Sequence, residues 1–165
     1  MKNLQSLANQ CMHQLDAIRI PYKKPSNFEI NSRAKSRWGQ CRHEENGRIV
    51  ISVSERLLHS DVSDVSAMDT IIHELLHTVP GCSNHGAKWK HYAEVVNSAY
   101  PQYHIKRTAT FEDKGVVPDP VSYKYKISCI KCGASSYYAR CTKAVQFPSL
   151  YKCSRCGGEL KVEVL

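Results

Sequence analysis

One stretch constrains this chain more than any other: residues 63–78, SDVSAMDTIIHELLHT. Val65, Met68, Ile71, Ile72, Leu75, Leu76 and Val79 recur at the spacing of one face of an α-helix. Pro80-Gly81 stops the pattern. The opposite face then carries Asp69, Thr70, His73, Glu74 and His77. A helix strongly apolar on one side and bearing two histidines and a glutamate on the other must pack against a core while keeping that polar face available.

The order His73-Glu-Leu-Leu-His77 has a direct chemical reading. Positions i and i+4 share a helix face, about 6 Å apart along the axis. Two imidazoles so placed can grip one Zn²⁺. Glu74, beside the first of them, is positioned to take a proton from a zinc-bound water and pass it to a leaving amine. The competing reading is a solvated polar face with chance spacing. A catalytic zinc usually has three protein ligands and one open position. His85, eight residues past His77 and just beyond the turn, is the first candidate for the third ligand. Cys82, His91 and Asp69 are its rivals, Asp69 being better placed to orient a ligand imidazole.

Around this helix the chain reads as mixed α and β. Helical spacing covers about 3–19, with Leu4, Leu7, Cys11, Leu15 and Ile18 on one face. Pro21 and Pro25 break it. Strands are expected near Phe28–Ile30, Arg37–Cys41 and Arg48–Val53, the last two joined by a hairpin turn at Asn46-Gly47. A short helix is expected over 54–59, and another from an Asn84 cap to about Ala99, with Trp89, Tyr92, Ala93 and Val96 inward. Arg33, Lys35 and Arg37 alternate as one strand face, either solvated or turned toward phosphate. From 111 to 122 periodicity dissolves into FEDKGVVPDPVS, which reads as a linker between a 1–110 domain and a 123–165 appendage.

That appendage holds two C-x2-C pairs, Cys129/Cys132 and Cys153/Cys156, 20 residues apart. Four thiolates close a tetrahedron, so a zinc here is structural. A unit of this size has too little core to fold without such a staple. Gly133 and Gly157-Gly158 follow the second cysteine of each pair and relieve the backbone there. Cys11, Cys41, Cys82 and Cys141 are left as small apolar side chains or bystanders.

Charge bears on partners. The chain carries +8, and residues 122–165 hold eight Lys/Arg against two Glu, an excess of six. One zinc on four thiolates lowers that excess to about four. Lys124, Lys126, Lys131, Arg140, Lys143, Lys152 and Arg155 are thus candidate phosphate contacts, and one of the adjacent Tyr137 and Tyr138 a candidate for base stacking. The rival reading has the aromatics filling a thin core and the charges solvated. No apolar run of membrane-spanning length exists, and the N-terminal stretch lacks the apolar block of a signal peptide. Paired cysteines in C-x2-C form suit metal in a reducing compartment. A cytoplasmic protein without membrane contact is expected.

Three segments resemble the SprT-like family of zinc metallopeptidases, which includes the Spartan proteases. They are HELLH with its lead-in Met68-Asp-Thr-Ile-Ile72, the later His85-Gly-Ala-Lys-Trp89, and Ser36-Arg-Trp-Gly-Gln-Cys41 followed by the strand Ile49–Ser52. A basic four-cysteine ribbon is also a feature of bacterial SprT proteins. The resemblance spans from about Ser32 to the C-terminus. The His77–His85 interval is shorter than in Spartan-type members and similar to that of bacterial relatives with an Arg-Trp-Gly-Ser-Cys motif.

The resemblance implies His73, His77 and His85 as ligands of a catalytic zinc, and Glu74 as general base. It implies an α+β fold: a compact zincin-like protease domain with a small sheet on the active-site helix, followed by a small β-rich ribbon. Two Zn²⁺, one catalytic and one structural, are the expected cofactors. The expected activity is zinc-dependent endopeptidase action on a protein substrate. Some family members cut proteins trapped on DNA, which implies DNA as a further partner and a role in DNA repair. The alternative from another class is a non-proteolytic, zinc-containing nucleic-acid-binding module. A metal-dependent amidase acting on something other than protein is a third.

Overall fold

The central helix forms where the apolar stripe predicts it. The Ser63 hydroxyl accepts from the Val65 amide at 3.2 Å, which caps α2 (Asp64–Leu76). Ile71, Ile72, Leu75 and Leu76 are fully buried, each contributing about 1.5–3 kcal/mol of burial free energy. The helix ends at His77, and Gly81, at φ 84°, turns the chain back.

The computed structural model describes residues 1–34 and 36–165. They divide into two units, Met1–Val117 and Pro118–Leu165. In the first, Asn3 caps α1 (Leu4–Ala17), whose buried face of Leu4, Leu7, Cys11, Met12 and Leu15 packs against α2. The Cys11 thiol reaches the Met68 carbonyl at 3.6 Å. Burial pushes that thiol above the ordinary range, so Cys11 serves as a small core side chain.

Three strands complete this core: β1 (Asn27–Asn31), β2 (Gly39–His43) and β3 (Ile49–Ser54). Their order is β1-β3-β2, with β1 parallel and β2 antiparallel to β3. The middle strand is buried at every residue, and β2 and β3 both contact α2. The expected turn closes the β2–β3 hairpin, with Gly47 at φ 79°. The second strand starts two residues later than expected, so Arg37 precedes it, and Arg33 lies in the turn after β1. The strand face expected of Arg33, Lys35 and Arg37 therefore does not form at its two described members; Lys35 lies outside the described residues.

A 3-10 turn at Glu55–Leu58 leads into α2, and α3 (Ala87–Ala99) buries Trp89, Ala93 and Val96. Asn84 does not cap α3. Its side chain accepts from the Gly86 amide at 2.9 Å, and Gly86 is the cap residue. After α3 the structure departs from the linker expected over 111–122. Thr110 and Asp113 form a reciprocal capping box around α4 (Phe111–Lys114). Lys114 is 4% exposed and pairs with Asp69. One helical turn has no readable periodicity, and its anchor is an ion pair to a residue 45 positions away.

The second unit is an antiparallel sheet of β4 (Tyr125–Cys129), β5 (Ser135–Tyr138) and β6 (Leu160–Val164), ordered β5-β4-β6. A single turn, α5 (Lys143–Gln146), capped by Thr142, lies between β5 and β6. Its buried side chains are few: Ile127, Val145, Cys129 and Cys153. Among the described residues no helix is long and apolar enough to cross a membrane.

Candidate metal centres and the cleft beside them

The last turn of α2 and the Pro80–Gly86 turn converge on one point. His85 Nε2 lies 2.9 Å from His73 Nε2 and 3.1 Å from His77 Nε2. His73 Nδ1 faces the Lys106 carbonyl at 3.1 Å, and His77 Nδ1 faces the Cys82 carbonyl at 2.8 Å. A carbonyl only accepts, so both Nδ1 atoms carry the proton and both Nε2 atoms present a lone pair. Burial, and then the fields of His77 and His85, hold the His73 imidazole down to about 3. Burial, then His77 and Arg107, lower that of His85. Neutral imidazoles with lone pairs about 3 Å apart repel unless a cation sits among them. On a metal at 2.0–2.1 Å, tetrahedral donors lie about 3.3 Å apart. The donor set therefore fits a zinc-sized ion.

The rivals for third ligand fall elsewhere. Cys82 serves through its carbonyl, while its thiol is buried in the core. His91 is exposed, its ring 5.5 Å from that of Tyr92 and tilted against it by 55°. Asp69 does not orient an imidazole as expected. It pairs with Lys114 and accepts the His104 amide at 2.9 Å. The expected inward residue Trp89 proves to be the floor of the cluster. Its ring lies 4.8, 5.7 and 4.6 Å from the rings of His73, His77 and His85, and its buried indole N–H has no hydrogen-bond partner among the described residues.

Glu74 is 7% exposed, one residue from His73 on the same helix. Burial pushes its carboxyl up to about 7, against the Cys41 amide, Arg37 and Lys114, which pull it down. Gly39 at the start of β2 permits this closeness. A Cβ there would meet Glu74 Oε1 at 2.7 Å and Thr70 Cγ2 at 2.9 Å. Any side chain at 39 would therefore displace either the strand or the carboxylate. Cys41, half-buried, lines the opening together with Glu74, His73, His77 and His85.

A cleft runs from His73 and Glu74 between two walls. One is formed by Arg37, Trp38 and Gly39, the other by 106–109. The Trp38 indole N–H donates to the Ala109 carbonyl at 2.9 Å, and its ring meets Phe111 edge-on at 4.9 Å. Sequence reasoning missed Gly39, the two carbonyl partners and this second wall. Only Gly39 left a signal, as the glycine in the Trp-Gly-Gln-Cys run.

In the second unit the four expected cysteines come together, all Sγ atoms within 4.8 Å of one another. Cys129–Cys156 is 3.5 Å and Cys132–Cys153 is 3.7 Å. A disulfide would be about 2.05 Å; the edge of a Zn-thiolate tetrahedron with 2.3 Å bonds is about 3.8 Å. Two equivalent turns deliver the sulfurs. The Gly133 amide donates to the Cys129 carbonyl at 3.0 Å and the Gly157 amide to the Cys153 carbonyl at 2.8 Å, with φ of 72° and 70°. Gly158 has no room for a Cβ, which would lie 2.7 Å from Lys131 Cβ and 2.9 Å from Cys129 Sγ. Amides, first that of Cys132, favour the Cys129 thiolate and bring its thiol down to about 6. The chemistry and spacing suit a zinc-sized ion here too.

Of the basic residues expected to meet phosphate, Lys124, Lys131, Arg140, Lys143, Lys152 and Arg155 are exposed and Lys126 is half-buried. Lys152 lies 3.8 Å from Glu159. Of the tyrosine pair, Tyr137 is exposed and Tyr138 partly covered.

A His-Glu-x-x-His helix with a third imidazole from the following turn, backed by a small sheet, defines a metal-binding α+β domain. The sequence model of the SprT-like family matches residues 5–109, and the chain belongs to that family. The match covers the unit holding the three histidines, and the cysteine cluster lies beyond it. Comparison with curated proteins and with solved structures gave no match.

Proposed function

We propose that this protein is a zinc-dependent endopeptidase of SprT-like type. The observation that carries the reading is the pair of lone-pair-bearing Nε2 atoms converging with His85 beside a buried carboxylate. His73, His77 and His85 would hold the ion. Zinc there supplies a Lewis acid that acidifies water and polarises a carbonyl. The remaining work falls to the chain. Glu74 takes a proton from the attacking water onto a carboxylate oxygen and returns it to the leaving amide nitrogen. Gly39 lets β2 close against that carboxylate. The Lys106 and Cys82 carbonyls hold the imidazoles in the tautomer a metal requires.

The ribbon, in this reading, holds a structural zinc on Cys129, Cys132, Cys153 and Cys156 and brings the enzyme to nucleic acid, so that DNA-associated or DNA-crosslinked proteins are its substrates. Exposed Tyr137 lies 5.7 Å from the exposed ring of Tyr123, and Lys126 lies 5.9 Å over it. This is the combination of stacking surface and cation that binds single strands. All eight cysteines are free, as suits a cytoplasmic protein. The same pair of rings would also serve the alternative, a non-proteolytic nucleic-acid-binding module.

Metal analysis combined with a cleavage assay tests the reading. Wild type is expected to carry two zincs per chain and to degrade an unfolded or DNA-bound polypeptide, with activity lost to a zinc chelator. His85→Ala is expected to drop to about one zinc and lose cleavage. One zinc in both proteins would sink the catalytic centre.

Gly39→Ala gives a finer test. The added methyl overlaps Glu74 while leaving the three imidazoles in place. Turnover should fall about 100-fold, the usual cost of a catalytic group misplaced by about 1 Å, with zinc content unchanged. Full turnover in this variant would mean that β2, not the carboxylate, yields to the methyl.

A further inference from the structure

We propose that the cleft beside the histidine cluster selects polypeptide segments with an acidic side chain next to the bond to be cut, and that Arg37 and Arg107 make the selection. The inference rests on the endopeptidase reading above and adds a substrate class to it.

The second wall of the cleft is a pinned strap. The His104 amide donates to Asp69 at 2.9 Å. The Ile105 amide and carbonyl meet Asn97 at 2.8 and 3.1 Å. The Lys106 carbonyl accepts a hydrogen bond from His73 Nδ1 and the Ala109 carbonyl one from the Trp38 indole N–H. Between these anchors Arg107 and Thr108 line the cleft with His73 and Glu74. Arg37 lines it from the opposite wall.

The charges in the cleft do not balance. Asp69 is taken by Lys114. Lys106 is taken by Asp113 at 2.8 Å, outside the group that lines the cleft. Glu74 is the proton carrier. Among the described residues Arg37 hydrogen-bonds only neutral Gln40, at 2.7 Å, and Arg107 has no carboxylate partner. The field of Arg107 reaches His85 and that of Arg37 reaches Glu74. Two guanidiniums therefore border the cleft, and among the described residues neither is held in an ion pair. A guanidinium fork matches a carboxylate through two parallel N–H···O bonds. An isolated acidic side chain places one negative charge at one of these forks. Nucleic acid is a continuous row of phosphates and would also set one beside the Glu74 carboxylate.

The test uses the full-length Glu74→Gln protein loaded with zinc, so that peptides bind without being cut. Three fluorescent peptides identical except for a central Glu, Gln or Lys are titrated by anisotropy. The Glu peptide should bind roughly 3- to 10-fold tighter than the Gln peptide, with the Lys peptide weakest. Adding Arg37→Gln and Arg107→Gln, both exposed and outside the core, should abolish the difference while two zincs per chain are retained. Equal affinities for the Glu and Gln peptides would overturn the proposal. So would a single-stranded oligonucleotide that binds the Glu74-bearing protein and loses that binding when Arg37→Gln and Arg107→Gln are added, since that assigns the cleft to phosphate. The same peptides given to the Glu74-bearing protein separate the two readings. Cleavage without preference sinks the selection and leaves the peptidase. Discrimination in binding with no cleavage of any peptide or protein sinks the peptidase and leaves an acid-binding cleft.

Discussion

Glu74→Gln is expected to lower cleavage by about 100- to 10,000-fold, the range that general acid–base catalysis supplies, with two zincs per chain retained. Glutamine keeps the volume. It cannot take a proton. The packing around residue 74 is tight: Gly39 and Thr70 close over it and only 7% of it meets solvent. The isosteric change therefore removes one chemical capacity and leaves the wall intact. The readout has two parts, the rate on an unfolded polypeptide and the metal content. Unchanged rate with full zinc would mean that the buried carboxylate is a packing element and takes no part in the chemistry. Lost zinc would instead make Glu74 part of the metal site, beyond the group that His73, His77 and His85 form.

That Glu74 and the two histidines were legible in the sequence follows from periodicity. Helical spacing alone puts 73, 74 and 77 opposite the stripe of Met68, Ile71, Ile72, Leu75 and Leu76, and α2 buries that stripe as expected. The ribbon cysteines were legible because ligand spacing within each turn is local. His85 led from its place eight residues past His77 and just beyond the turn, while Cys82, His91 and Asp69 stayed open as rivals, and the resemblance pointed to the same residue. What stayed hidden is contact between segments far apart in the chain. Lys106 sits 33 residues from His73, Trp38 71 from Ala109, and Lys114 45 from Asp69. Each uses a backbone carbonyl or a buried charge, and neither leaves a pattern in composition. The linker expected from 111 shows the same limit. Phe111–Lys114 is read as polar coil until Asp69 is known to lie where Lys114 can reach it.

Cys153→Ser is expected to unfold residues 125–164 while the first unit stays folded. Amide hydrogen exchange on the full chain checks it. Protection across β4, β5 and β6 should vanish, and protection across α2 should persist. The reason lies in what holds each unit. The buried apolar cluster of the first unit runs from Leu4 to Ile105, with partly buried Val116 packed against it. The second unit buries only Ile127 and Val145 besides two cysteines, too little apolar surface to order three strands and two glycine turns. Metal bound to four thiolates contributes about 10–16 kcal/mol in small zinc domains, so losing one ligand removes the main term that favours folding. Gly158→Ala provides the control, since it changes no ligand. Its Cβ would lie 2.9 Å from Cys129 Sγ and 2.7 Å from Lys131 Cβ, so it should weaken the same strands by distorting the sulfur cage. Protection of 125–164 that survives both substitutions would mean that side-chain packing, not the four thiolates, holds the ribbon. Loss of protection in α2 as well would mean that the two units fold as one.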